Sequence, residues 1–248
     1  MTTVAIIPDQ HGEDNWKKVL GIKADYYVSL GDWFDSFTID YDTQMQNFTE
    51  FIDFVKQDPE HRIALLGNHD LAYLQPANRG MLTSGHDIYY HDDIHELILS
   101  NIRYLQIYFN IDGIVFSHAG FSKKWVERWM REDLNDNIMK HLLSLSFINP
   151  TSILNAEDFN EYGDNTYQSP LWIRPYSLLH NSAYPIQIVG HTEMCSSAPI
   201  YAQYDNNKVI FCDSPHHNLI FTINTDEIKK MKFDFDGHLI ERITNDNT

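Results

Sequence analysis

Five short apolar runs in this 248-residue chain lead straight into residues that can hold a metal ion. Residues 4–8 lead into Asp9-Gln10-His11-Gly12, residues 26–30 into Gly31-Asp32 with Asp35 close behind, and residues 62–66 into Gly67-Asn68-His69-Asp70. Residues 114–117 lead into His118-Ala119-Gly120, and residues 186–189 into Gly190-His191. Carboxylate, imidazole and amide oxygen in one set suit manganese, iron, zinc or a mixed pair, and they are too many for one tetrahedral zinc. Six or so such ligands point to two ions, roughly 3.5–4 Å apart, that share a bridging carboxylate.

Residues so scattered along a chain converge only if the strands that carry them lie side by side. In an α/β sheet the C-terminal strand ends share one edge, where such folds bind their ligands. The first half of the chain has the required alternation. Residues 16–20 read as helical. Residues 43–56 set Phe48, Phe51, Ile52 and Val55 at helical spacing behind Thr43 as the expected N-cap, and residues 86–100 read as a helix of mixed polarity. Residues 104–109 and 114–117 read as a hairpin, followed by a helix over 123–130 capped by Ser122 and another over 134–145. Residues 149–185 lack periodicity and read mostly as loop, with 171–175 as an anchor. The chain then turns β-rich, with strands expected at 186–189, 200–204, 209–212, 219–223 and 231–235. No repeat or linker divides it, so residues 1–248 are expected to form one domain.

Composition narrows the class. With 18 Lys and Arg against 35 Asp and Glu, the net charge is −17, which disfavours extended nucleic acid and anionic membrane surfaces as partners. It does not exclude an anionic substrate, because bound metal ions invert the local field. A hydrophobic content of 43% excludes disorder over most of the chain. Two cysteines, Cys195 and Cys212, form no framework and suit a reducing cytoplasm. The first residues carry no basic region and run into a strand, so neither a signal peptide nor a membrane span is expected.

In chain order, Asp-x-His-Gly, Gly-Asp-x-x-Asp, Gly-Asn-His-Asp, Ser-His-Ala-Gly and Gly-His-Thr resemble the calcineurin-like metallophosphoesterase superfamily. Phe-Ser-His-Ala-Gly, a Gly-His-Thr without a second histidine, and Leu-Trp-Ile-Arg resemble its branch of bacterial and phage Ser/Thr phosphatases and diadenosine tetraphosphatases. The resemblance implies a four-layer α/β/β/α sandwich of two mixed sheets flanked by helices. It implies that Asp9 and His11 hold a first metal, that Asp32 bridges both, and that Asn68, His118 and His191 hold the second. Manganese is the first expectation, with iron, zinc, nickel or magnesium as alternatives. His69 is then the acid that protonates the leaving group, Asp35 orients it, Arg174 anchors the substrate phosphate, and Asp213 supports the site.

Phosphate-ester hydrolysis needs an activated water, neutralised non-bridging oxygens and a proton for the leaving group. Two metals with a bridging hydroxide supply the first two, and a histidine paired with a carboxylate supplies the third. The expected substrate is a phosphomonoester, a phosphoprotein first. A dinucleoside polyphosphate is the alternative, then a phosphodiester such as a small cyclic nucleotide or nucleic acid. A non-catalytic metal-bound scaffold is disfavoured, because such scaffolds usually lose the acid histidine or several ligands.

Three places depart from the pattern. Gly-Asp-x-x-Asp continues Ser36-Phe37 where many phosphoprotein phosphatases have Arg-Gly, leaving Arg62, Arg79 or Arg103 to supply a second anchor. Glu193 follows Gly-His-Thr and either ligates the first metal or faces solvent. Asp213-Ser214-Pro215 precedes His216 and His217, which lie near the expected site edge. Asp70 is either a support for a ligand or the cap of its own turn. His86, His91 and His95 read as surface histidines, and Trp125 with Trp129 as core.

Overall fold

The computed structural model describes residues 1–75, 83–130, 154, 165–194, 196, 198–214 and 220–231. The expected helix over 134–145, the strand over 231–235 beyond Met231, and Cys195, His216, His217 and Arg79 lie outside these residues.

The first three strands are β1 (Thr3–Ile7), β2 (Tyr26–Ser29) and β3 (Arg62–Leu65), joined by crossovers and paired in parallel. Between β1 and β2 the chain makes a 3-10 turn, Asn15–Gly21. Helix α1 (Tyr41–Gln57) joins β2 to β3. It starts two residues earlier than its periodicity suggests, because Asp40 and not Thr43 is the N-cap: its carboxylate accepts from the Thr43 amide at 3.0 Å and the Thr43 hydroxyl at 2.9 Å. Helix α2 (Asn68–Leu74) follows β3 directly, and α3 (His91–Asn101) is shorter than the expected 86–100 helix at its start.

The expected strand at 104–109 is two strands. β4 (Leu105–Gln106) completes the first sheet beside β3, and β5 (Tyr108–Ile111) opens the second, pairing antiparallel with β6 (Ile114–Ser117) across Asp112-Gly113. An extended run can change sheets in two residues without changing its apolar pattern, so periodicity alone does not mark the break. Ser122 caps α4 (Lys123–Trp129), its hydroxyl accepting from the Trp125 amide at 3.1 Å.

Within the region read as loop, Pro175 begins a helix, α5 (Pro175–Asn181), with proline in the first turn where its missing N–H is harmless. The second sheet is finished by β7 (Ile186–Val189), β8 (Ile200–Tyr204) and β9 (Asn207–Phe211). Finally β10 (Phe221–Asn224) returns to the first sheet against β1 and feeds a short unexpected helix, α6 (Thr225–Lys230), capped by Asn224.

Among the described residues the two sheets are ordered β10-β1-β2-β3-β4 and β5-β6-β7-β9-β8, both mixed. Alternation along the strands assigns the layers. Val4, Ile6, Val28, Leu30, Ile63 and Leu65 meet Ile114, Phe116, Ile186, Ile188 and Ile210 between the sheets. Ala5, Ile7 and Ala64 face the helical side, with Phe48, Phe51, Ile52 and Val55 of α1 and Ile94 and Ile98 of α3. Leu178 and Leu179 of α5 cover Val189, Ala202, Val209 and Phe211 on the far side. The expected α/β/β/α layering is the observed one.

Phe51 is the centre of the helical-side packing, stacked on Trp33 at 4.2 Å and edge-on to Trp16 at 5.4 Å. Phe51→Ala is expected to lower the unfolding free energy by about 3–5 kcal/mol, read by denaturant titration of the full chain.

Candidate metal centre

The C-terminal ends of β1, β2, β3, β6 and β7 meet at one edge between the sheets. Four of the residues expected there hold a backbone conformation that L-residues avoid: φ is +42° at His11, +54° at Asp32, +70° at Asp35 and +66° at His191. Apart from Asp112 and Asp205 in hairpin turns, these are the described non-glycine residues with positive φ. Each costs about 1–3 kcal/mol, which the surrounding structure must repay, and such strain gathers at functional sites.

The hydrogen bonds of three histidines decide what the site can bind. His118 Nδ1 lies 2.8 Å from the Leu30 carbonyl, His11 Nδ1 2.8 Å from the Phe34 carbonyl, and His191 Nε2 3.0 Å from the Trp172 carbonyl. A carbonyl oxygen only accepts, so each of these nitrogens carries the proton and the other ring nitrogen of a neutral imidazole is bare. The bare nitrogens face inward. His118 Nε2 and His191 Nδ1 are 3.1 Å apart, and both lie within 2.9 Å of Asn68 Oδ1. Three lone pairs thus converge with no proton between them, an arrangement that a cation relieves.

Asp32 joins this cluster to a second one. Its Oδ2 lies 3.3 Å from His118 Nε2, 3.8 Å from His11 Nε2 and 4.0 Å from His69 Nε2. Among the described residues two groups could each hold an ion, His11 with Asp32 and His69, and Asp32 with His118 and His191. Burial works against ionisation of Asp32, but the positive charge that His118, His69 and His11 carry when protonated, which a bound cation would supply in their place, outweighs it and holds the carboxyl well below its usual range. Burial, with Arg174 and His118 adding to it, drives His191 well below the ordinary histidine value, so its ring is neutral as ligation requires.

Asp9 stands outside both groups. Its Oδ2 accepts from the His191 amide at 2.9 Å, while Oδ1 is buried with no hydrogen-bond partner among the described residues. Burial, then the charges of Asp213 and Asp32, push its proton affinity well up. A buried carboxylate oxygen without a donor, beside two other acids, is the signature of a missing positive charge. Gly190 is required here, because a Cβ on it would overlap Asp9 Oδ1, as one on Gly67 would overlap Asp32 Oδ1. The residues present therefore fit a divalent cation.

Asp70 plays both of the parts open to it. It accepts from its own turn at the Gly67 amide (2.9 Å) and crosses to the next strand end, taking the amides of Asp32 (2.9 Å) and Trp33 (2.8 Å). One carboxylate so ties the β2 loop to the β3 loop, and burial with the Asp32 charge pushes its pKa up to about 7.

Asp35 is buried and holds His69 Nδ1 at 2.7 Å, and it also receives the hydroxyls of Tyr73 and Thr83, for which the sequence offers no expectation. Aromatic and hydroxyl residues in a helix and a loop carry no pattern that separates them from packing residues. Burial opposes protonation of His69, but the carboxylates of Asp32 and Asp35 prevail and raise its affinity for a proton.

Arg174 directly precedes α5 beside the site, its Nη1 3.2 Å from the Thr192 hydroxyl. Neither Arg62, stacked on Phe54 at 4.0 Å, nor Arg103, stacked on Tyr104 at 4.7 Å, stands at this edge. Glu193 is exposed and in neither group, which favours its solvent-facing reading. The histidines read as surface residues are corrected: His91 is buried, and His86 and His95 are half-buried, because they pack on Tyr73. Trp125 is core, and Cys212 is a buried thiol.

A family model described as calcineurin-like phosphoesterase matches residues 2–222. Among solved structures, the chain is similar to a cold-active protein-tyrosine phosphatase of a psychrophilic Shewanella species, at 18% identity and a TM-score of 0.60 over 91% of this chain and 76% of that one. It is also similar to a protein serine/threonine phosphatase from Saccharomyces cerevisiae, at 14% identity and a TM-score of 0.50 over 87% and 70%. At these identities the likeness is one of fold. No curated protein matches the sequence.

Asp70→Asn replaces one acceptor by a donor facing buried amides. It is expected to lower the unfolding free energy by about 1–3 kcal/mol and to weaken metal uptake, read by thermal melts with and without manganese. Gly190→Ala is expected to leave the fold intact and reduce the bound metal measured by elemental analysis.

Proposed function

Because the chain belongs to the calcineurin-like phosphoesterase family, we propose that it hydrolyses phosphomonoesters with the help of two divalent ions, manganese first, that share Asp32. The observation that carries this reading is the set of bare lone pairs on His118, His191 and Asn68, turned inward beside the inward oxygen of Asp32. Asp9, His11 and Asp32 would hold one ion, and Asn68, His118, His191 and Asp32 the other. When bound, the ions neutralise the phosphate's charge and acidify water to a pKa of about 7.

The chain's own residues supply the rest. Arg174 reaches the Thr192 hydroxyl beside His191 at 3.2 Å, which sets its guanidinium at that end of the site to hold a phosphate oxygen. His69 keeps its proton through Asp35 on Nδ1 and presents Nε2 to the site, where it gives a proton to the departing oxygen. The two similar structures are both protein phosphatases, which supports a phosphoprotein as the first substrate class to test. None of the described helices is long and apolar enough to cross a membrane, and a reducing cytoplasm is the proposed setting.

The test is manganese-dependent hydrolysis of phenyl phosphate, whose leaving group needs a proton, by the wild type, His69→Ala and Asp32→Ala. His69→Ala is expected to keep its metal and lose roughly 10²–10⁴-fold in kcat, while Asp32→Ala loses both metal and activity. A folded, metal-loaded wild type that cleaves neither this ester nor its bis-ester analogue would overturn the reading.

A further inference from the structure

Two side chains of α2 grip one carboxylate. His69 and Tyr73 stand four residues apart, one turn along the same helical face. His69 Nδ1 meets Asp35 Oδ2 at 2.7 Å, and the Tyr73 hydroxyl donates to Oδ1 at 2.5 Å. Thr83, from a segment beyond the helix, donates its hydroxyl to Oδ2 at 2.6 Å. Tyr41 is the weaker neighbour: its hydroxyl gives its proton to the Gly85 carbonyl and lies 3.4 Å from Oδ1. The Asp35 side chain is fully buried, so no bulk water replaces these donors.

We propose that Tyr73 and Thr83 are positioning residues for the reaction, their hydroxyls locking the Asp35 carboxylate so that it holds the His69 ring with Nε2 toward the leaving group. This rests on the reading of His69 as the acid given above. A carboxylate held only by the imidazole is free to turn about its terminal torsion, which is broad. Donors on both oxygens from two separate segments remove that freedom. A proton donor displaced by a fraction of an ångström loses much of its effect.

Tyr73 is itself held on every side. Its ring is fully buried, stacked on His86 at 4.2 Å with 20° between planes and edge-on to Phe34 at 5.8 Å. Its carbonyl accepts from His95 Nδ1 at 2.8 Å. Burial and the Asp35 charge push its ionisation far above the ordinary tyrosine range, so the hydroxyl stays a donor. The three packed histidines thereby gain a purpose, as the backing of the residue that holds Asp35.

Two esters alike in shape test this in the full, manganese-loaded chain: p-nitrophenyl phosphate, whose leaving group departs as a stable anion, and phenyl phosphate, whose leaving group is a much weaker acid and needs the proton. Tyr73→Phe and Thr83→Val are expected to keep metal content and KM. Each should lose about tenfold or more in kcat on phenyl phosphate but no more than about threefold on the nitro ester, with Thr83→Ser restoring the rate. His69→Ala is the reference and should show the same leaving-group dependence more strongly. Equal losses on both esters, or no loss, in Tyr73→Phe and Thr83→Val while His69→Ala shows the dependence would sink this inference alone. Absence of the dependence in His69→Ala would remove the acid reading and this inference with it.

Discussion

Electron-pair donors pressed together without protons are unstable neighbours, and the rest of this structure is organised around holding them so. His118, His191 and Asn68 bring three such atoms within 3.1 Å of one another, beside the buried carboxylate of Asp32. Nothing local favours this. Each histidine is forced into it by giving its one proton to a backbone carbonyl, two of those carbonyls (Leu30 and Phe34) in the loop after β2 and the third (Trp172) just before α5. The tautomers, and with them the capacity to bind a cation, are set by main-chain atoms far away in sequence.

A second layer keeps the strand ends at the right spacing. Asp70 takes three amides from two loops, and Asp9 takes the amide of His191 from 182 residues away. Glycines at 67 and 190 let carboxylates lie against the backbone where any Cβ would displace them. The left-handed conformations at His11, Asp32, Asp35 and His191 are strained, and the two apolar layers on either side of the first sheet hold the backbone in place against that strain. Parallel pairing matters here too, since it sends successive strands out at the same edge.

Legibility differed by the range of the interaction concerned. Apolar β-branched runs followed by polar clusters marked β1, β2, β3, β6 and β7, because a buried parallel strand is a continuous apolar run. The break between β4 and β5 was invisible, since both halves are extended and only their partners differ. Thr43 looked like the cap of α1 because both it and Asp40 are good caps, and the choice rests on which side chain reaches which amide. Helix α5 hid in a stretch whose composition suits loops, and its apolar side is defined by the sheet it covers. His91 looked exposed because the ring stack that buries it is built from a different helix and a loop.

By itself the sequence determined the inventory: five strand ends carrying carboxylate, imidazole and amide in an order that resembles one superfamily, on a chain with enough apolar residues to bury them. Those are properties of composition and spacing, written locally. Which nitrogen of each histidine is bare, which oxygen of Asp32 faces inward, and which hydroxyls meet Asp35 were decided only by the tertiary structure. Each depends on an atom contributed by a segment tens of residues away, and a hydrogen bond's direction exists only once both ends are in place.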